Sequence, residues 1–134
     1  MSENASSRGA SWVGWVFSAI VIVALAVDAA VDLFAPSMVS AEMEATGFPA
    51  GQATLLGLII LVCAILYAIP RTAILGAILT TGFLGGAICV HFRLGEVWSP
   101  PQLISLLLGI LAWGGLYLRD ERLRSLLPIR SPIG

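Results

Sequence analysis

A chain of 134 residues that is 58% hydrophobic and 11% charged carries more apolar surface than a soluble fold of its size can bury, since soluble domains carry about 25% charged residues. The solvent for the excess must be lipid, and a soluble globular domain is excluded. The formal net charge is −1, and no nucleic-acid partner is expected.

Residues 1–11 read as a cytoplasmic N-tail carrying Glu3 and Arg8. The first apolar run, Trp12 to Phe34, is long enough to span a bilayer. A cleaved signal peptide is its rival, but the basic n-region is missing and the run is too long for that pattern. Asp28 and Asp32 stand one helical turn apart near its end, on one face with Val21, Ala24 and Leu25. At a helix centre one Asp costs about 2.5–3.5 kcal/mol, and intramembrane ionisable residues are functional candidates by default.

Pro36 is placed to open a short helix, and Gly47 before Phe48-Pro49 to stop it. Met38, Val39 and Met43 share one side of this segment, which reads either as an interfacial helix on the outer face or as a structured cap. Gln52 opens the second run, Ala53 to Ile69, which Pro70 ends. Arg71 and Thr72 turn into the third, Thr72 to Phe92, so the two runs form a tight antiparallel pair.

On the third run, Ala87, Leu84, Thr80, Ala77 and Ala73 fall within about 40° of His91 on a helical wheel. The opposite side carries Gly82 and Gly86, a GxxxG pair that lets another backbone approach, either within the chain or from a second copy. Trp98 is an interface aromatic in the loop Leu94 to Pro101, and Trp12 and Trp15 play that role at the other surface. Pro100-Pro101 begins the fourth run, Gln102 to Leu118. In the Arg-rich tail, residues 119–134, Arg119 and Arg124 with Leu123, Leu126 and Leu127 are either a topology anchor or a short basic helix on the inner surface.

Backbone polar groups in lipid must be satisfied within the segment, so the runs are helices. The expected fold is all-α: an antiparallel four-transmembrane-helix bundle, residues 12–118, with helices about 12–34, 53–69, 72–92 and 102–118. The basic residues are all arginine. Arg8, Arg71, Arg119, Arg122, Arg124 and Arg130 fall on one side and only Arg93 on the other, which by the positive-inside rule makes both termini cytoplasmic.

At ~1.5 Å per residue, Asp28 lies about 24 Å above Trp12, and His91 about 29 Å above Thr72. Asp28, Asp32, His91, Arg93, Gln52, Glu42 and Glu44 therefore share the outer level, and nothing ionisable is expected in the inner two-thirds of the bundle. Either Asp32 sits at the water boundary with Asp28 bonded to a neighbouring helix, or the pair faces a ligand or a proton. In the second case one carboxyl holds a proton, or Arg93 or His91 pairs with them. Cys63 and Cys89 differ in depth and show no C-x-x-C spacing, so they read as buried, inert thiols. One histidine without H-x3-H or E-x2-H spacing gives no metal site.

Gly47-Phe48-Pro49, the stretch Leu66-Tyr67-Ala68-Ile69-Pro70-Arg71-Thr72-Ala73-Ile74-Leu75-Gly76-Ala77, the run Thr81-Gly82-Phe83-Leu84-Gly85-Gly86-Ala87 with His91-Phe92-Arg93, and Trp113-Gly114-Gly115-Leu116-Tyr117-Leu118-Arg119-Asp120 resemble the DoxX-like membrane proteins over about residues 12–128. The resemblance implies a four-helix bundle in the bacterial inner membrane. The family name comes from a subunit linked to thiosulfate oxidation with quinone. Many relatives carry a lysine in the first helix where Asp32 falls here, so a role tied to that cation does not transfer, and no catalytic set is carried over.

Three functions are consistent with this reading. The first is an accessory or interaction module, or a binder of a lipophilic small molecule, needing no cofactor and open to a homo-oligomer or a partner membrane protein. The second is a membrane subunit of a quinone-linked oxidoreductase, with His91 and the Asp28–Asp32 pair managing quinol protons. The third is a small proton-coupled transporter, disfavoured because its carboxylates lie away from the midplane.

Overall fold

The computed structural model describes residues 2–127, with side chains described from Ser7 onward apart from Ala50; the Glu3 side chain and Arg130 fall outside that part. Helices α1 Ser2–Phe34, α2 Ser40–Thr46, α3 Ala53–Ala68, α4 Ala73–Arg93, α5 Pro100–Arg119 and α6 Glu121–Leu126 follow one another, with 3-10 turns at Pro36–Met38 and Ala50–Gln52 on either side of α2. The described residues contain no strand. The ends match the apolar runs to within a residue or two, except that α1 begins at Ser2. Much of the stretch expected to be a tail is therefore helix.

From Ser7 onward α1, together with α4 and α5, is long and apolar enough to cross a membrane. Helix α3 has 16 residues, about 24 Å at 1.5 Å per residue, against a hydrocarbon core of about 30 Å. Helix ends follow local chemistry. Pro100 occupies the first turn of α5, where its missing N–H costs nothing, and Ser99 N–H donates to Gln102 Oε1 at 3.2 Å. Gly47 ends α2 with φ 78°, a left-handed conformation that glycine adopts without penalty. Thr72 Oγ1 donates to Leu66 O at 2.8 Å, satisfying a carbonyl that the end of α3 leaves open.

The four long helices close into a square in which α1 and α4 each pack on both α3 and α5. Neighbours are antiparallel. Gly14 near the start of α1 meets Gly115 near the end of α5, the end of α1 at Asp32 and Leu33 meets Gly57 near the start of α3, and Gly76 of α4 meets Tyr67 of α3. Between α4 and α5, Gln102 Nε2 donates to Ile88 O at 3.4 Å.

Without a hydrophobic force between helices in lipid, close packing holds them together. A Cβ on Gly14 would lie 2.7 Å from Gly115 O, and one on Gly115 would lie 2.8 Å from Ser18 Oγ, so α1 and α5 touch almost backbone to backbone. Gly82 and Gly86 do not act this way within the chain: a Cβ on either would meet nothing within 4 Å. The inward face of α4 belongs to Ala73, Ala77, Thr80, Leu84 and His91, the small-residue stripe foreseen from the wheel, and Gly82 lies on the other side. The glycines that bring helices together are Gly14, Gly57, Gly76 and Gly115.

Candidate functional site

The core is unevenly distributed along the bundle. Val21, Tyr67, Ala73, Ala77, Ala112 and Leu116 fill the half that holds the start of α1, with Leu25 and Ile60 at the middle of the bundle. In the other half the helices leave a cavity of about 630 Å³. Its apolar wall includes Leu25, Ile60, Phe83, Leu84 and Leu108, and its polar lining includes Asp28, Asp32, Glu42, His91 and Ser105. Helix α2 roofs it through Glu42, Met43 and Thr46, together with Val39 just before it. The segment after Pro36 is thus a cap on the bundle; Met43 is buried, while Met38 points out at 75% exposure.

Asp32 is 8% exposed, held against α3 where Gly57 leaves room: a Cβ on that glycine would come within 2.9 Å of Asp32 Cβ. Asp28, one turn earlier, is exposed and lines the same cavity. Among the described residues neither carboxylate has a hydrogen-bond or ion-pair partner. Of the two alternatives, a held proton or pairing with Arg93 or His91, the pairing is not formed, and both groups are engaged elsewhere. His91, also 8% exposed, donates from Nδ1 to Glu96 Oε2 at 2.5 Å, and Glu96 N–H returns to His91 O at 3.1 Å. Arg93 donates to Thr46 O at 2.8 Å, tying the end of α2 to α4. It borders an adjoining cavity of about 330 Å³ with Gly47, Phe48 and Cys89, which shares Thr46, Phe48 and Val90 with the larger one.

Of the residues singled out from sequence, the fold therefore brings Asp28, Asp32 and His91 to one cavity. Arg93 serves its roof, and Gln52 is exposed on a 3-10 turn away from both cavities. Ser105 and Thr46 join the cavity without having been foreseen. Ser105 could have been noticed as a hydroxyl in an apolar helix, but Thr46 depends on how α2 folds over. Both cysteines are free thiols; Cys63 is buried as expected, whereas Cys89 is exposed, contrary to the expectation, because it lies off the inward face of α4. Among the described residues no group of three His, Cys, Asp or Glu side chains is arranged to hold a metal ion.

The opposite end corrects the expectation of an inner bundle free of charge. Arg119 turns back between the helices, donating from Nε to Ser18 Oγ at 2.8 Å and from Nη2 to Tyr67 O at 3.3 Å. Its guanidinium lies 4.3 Å from the Trp15 ring centroid. Tyr67, fully buried, donates to Ala112 O at 2.7 Å and lies 3.1 Å from Ser18 Oγ. Arg122 donates to Pro70 O at 2.5 Å, and Arg124 to Leu118 O at 3.0 Å. These arginines satisfy the open carbonyls at the ends of α3 and α5, where the helix dipole also favours positive charge.

A membrane-type helical bundle with a polar-lined cavity at one end is the class that the geometry defines. Residues 16–115 match the DoxX-like family, and the chain belongs to it. No curated protein and no solved structure matches it.

Proposed function

We propose that this DoxX-like protein is a four-span module of the bacterial inner membrane, with both termini cytoplasmic, that binds a lipophilic small molecule between its helices. The cavity of about 630 Å³ carries the proposal: it lies within the usual ligand-pocket range of about 300–1,000 Å³ and pairs an apolar wall with a few polar groups. Val27 on α1 and Ile104 on α5 are 58% and 57% exposed yet line the same cavity, giving a lateral route from lipid. Four spans are supported by the antiparallel packing of α3 between α1 and α4, with local thinning of the bilayer accommodating the shorter helix. Orientation is supported by Arg71, Arg119, Arg122 and Arg124 at one end against Arg93 at the other.

Native mass spectrometry of the protein released from membrane nanodiscs tests the binding. A co-purified small-molecule adduct is expected in the wild type and not in Gly86→Phe, since Gly86 borders the cavity and has open space around its Cβ. Adduct-free wild-type protein from several growth conditions would overturn the proposal. A second reading, a subunit of a quinone-linked oxidoreductase, is favoured by one observation: His91 on the cavity wall, oriented by Glu96, is suited to proton transfer. Membranes carrying Asp28→Asn or His91→Ala would then lose quinone reduction, and unchanged rates in both would remove this reading.

A further inference from the structure

We infer that the cavity between the outer halves of α1, α2 and α4 is a site for a lipophilic cation, an ammonium whose head lies among Asp28, Asp32 and Glu42 and whose apolar body lies along Leu25, Ile60 and Phe83. The inference rests on the lipophile-binding reading and names the chemistry of the ligand. Its first support is Asp32. The residue is 8% exposed, lines the cavity, and its carboxylate has no ion-pair partner among the described residues. A carboxylate held in a low-dielectric surrounding is costly unless it is paired or neutralised, and no described residue pairs it.

The second support is the sign of the surrounding charge. Asp28 and Glu42 line the same space, while the nearby basic groups are bonded to other partners: Arg93 to Thr46 O, and His91, itself on the cavity wall, through Nδ1 to Glu96. Low-dielectric walls strengthen the field of these carboxylates inside the cavity. The third is size. The described carboxylates do not converge into a group able to hold a metal ion, whereas about 630 Å³ and a largely apolar wall suit an organic cation with a hydrocarbon body. The exposed rim at Val27 and Ile104 admits such a molecule from the membrane, where its tail already resides.

The test compares octylammonium, octanol and octanoate, which share a chain and differ in head charge. Binding is measured to the whole protein in phosphatidylcholine nanodiscs at neutral pH, with empty nanodiscs subtracted. Octylammonium is expected to bind about tenfold more tightly than octanol, and octanoate more weakly than either. In Asp32→Asn the amine-to-alcohol ratio falls to about one, with helicity checked by circular dichroism. Glu42→Gln changes an exposed residue at the cavity rim and avoids the core; it is expected to lower the ratio by about threefold. Equal binding of amine and alcohol, preference for octanoate, or an unchanged ratio in both variants overturns the cation while leaving a lipophile site standing. No saturable binding of any of the three overturns the lipophile reading, and the cation with it.

Discussion

Arg119 Nε donates to Ser18 Oγ at 2.8 Å, joining the last long helix to the first across the closely packed end of the bundle. The same guanidinium covers Trp15 and reaches Tyr67 O. A hydrogen bond to a charged group contributes about 1.5–3 kcal/mol, and a cation over an aromatic ring about 0.5–2 kcal/mol. Arg119→Ala is therefore expected to lower unfolding stability in mild detergent by about 2–4 kcal/mol. Arg119→Lys should recover less than half, because an ammonium lacks the planar fork. Denaturation of an Arg119→Ala variant at the wild-type midpoint would contradict this account.

Glycine-to-alanine substitutions separate the packing glycines from the free ones. Gly57→Ala drives a methyl into Asp32 and Leu33 and should cost about 1–3 kcal/mol as overpacking, with a shift of Asp32 toward the cavity. Gly82→Ala meets open space and should gain up to about 1 kcal/mol in helix propensity. If Gly82 instead serves a contact between two copies, its alanine variant loses dimer in nanodisc mass measurements. Thermal scans and mass photometry of both variants give the comparison.

Arg93 is expected to act on the cavity roof. Arg93→Gln removes the charge-assisted bond to Thr46 O, worth about 1.5–3 kcal/mol, and frees the end of α2. Amide exchange should accelerate over residues 40–46 while remaining slow in α4 through Leu84. Uniform protection in the variant would mean that α2 is held by its buried Met43 and Thr46 alone.

A pH dependence follows from Asp120. It accepts hydrogen bonds from Arg122 Nη2 at 2.8 Å and from Arg122 N at 2.9 Å, which hold its carboxyl below the ordinary value of 3.8. A carboxylate depressed in the folded state contributes stability above its unfolded pKa and loses it as the pH falls through the folded value. Docking of α6 should thus be constant from neutrality to about pH 4 and weaken below it, modestly because Arg122 is exposed and screened by solvent. Asp120→Asn should lack this acid step when α6 exchange is followed against pH.

The helices were legible in the sequence because lipid imposes one rule on all of them: an apolar run of sufficient length must close its own hydrogen bonds. The inward stripe of α4 was legible for the same reason, since Ala73, Ala77, Thr80, Leu84 and His91 repeat with helical period. What Asp32 faces was not. Depth places it at the level of His91 and Arg93, but side-chain pairing depends on which way Arg93 leaves α4, and Thr46 O, fixed by the fold of α2, takes that guanidinium first. The role of Gly14 and Gly115 was equally hidden: no short motif links residues so far apart, and only the antiparallel closure of α1 on α5 sets them face to face. Arg119 looked like surface charge because its partners, Ser18 and Tyr67, are distant in sequence and unremarkable alone.

The backbone contact of Gly14 with Gly115 has a mechanical consequence. Clamped at one end and hollow at the other, α1 and α5 resemble the arms of tweezers. Toward their other ends each rests on its second neighbour, α1 on Gly57 of α3 and α5 on Ile88 of α4, but the cavity beside them forfeits dispersion contacts that the clamped end retains. Local opening is cheapest where contacts are fewest, so the widening of the mouth between Val27 and Ile104 can proceed while the Ser18–Tyr67–Arg119 end stays closed. For the proposed lipophile, admission would need only a small spreading of two arms about a fixed pivot, with the remainder of the bundle left undisturbed.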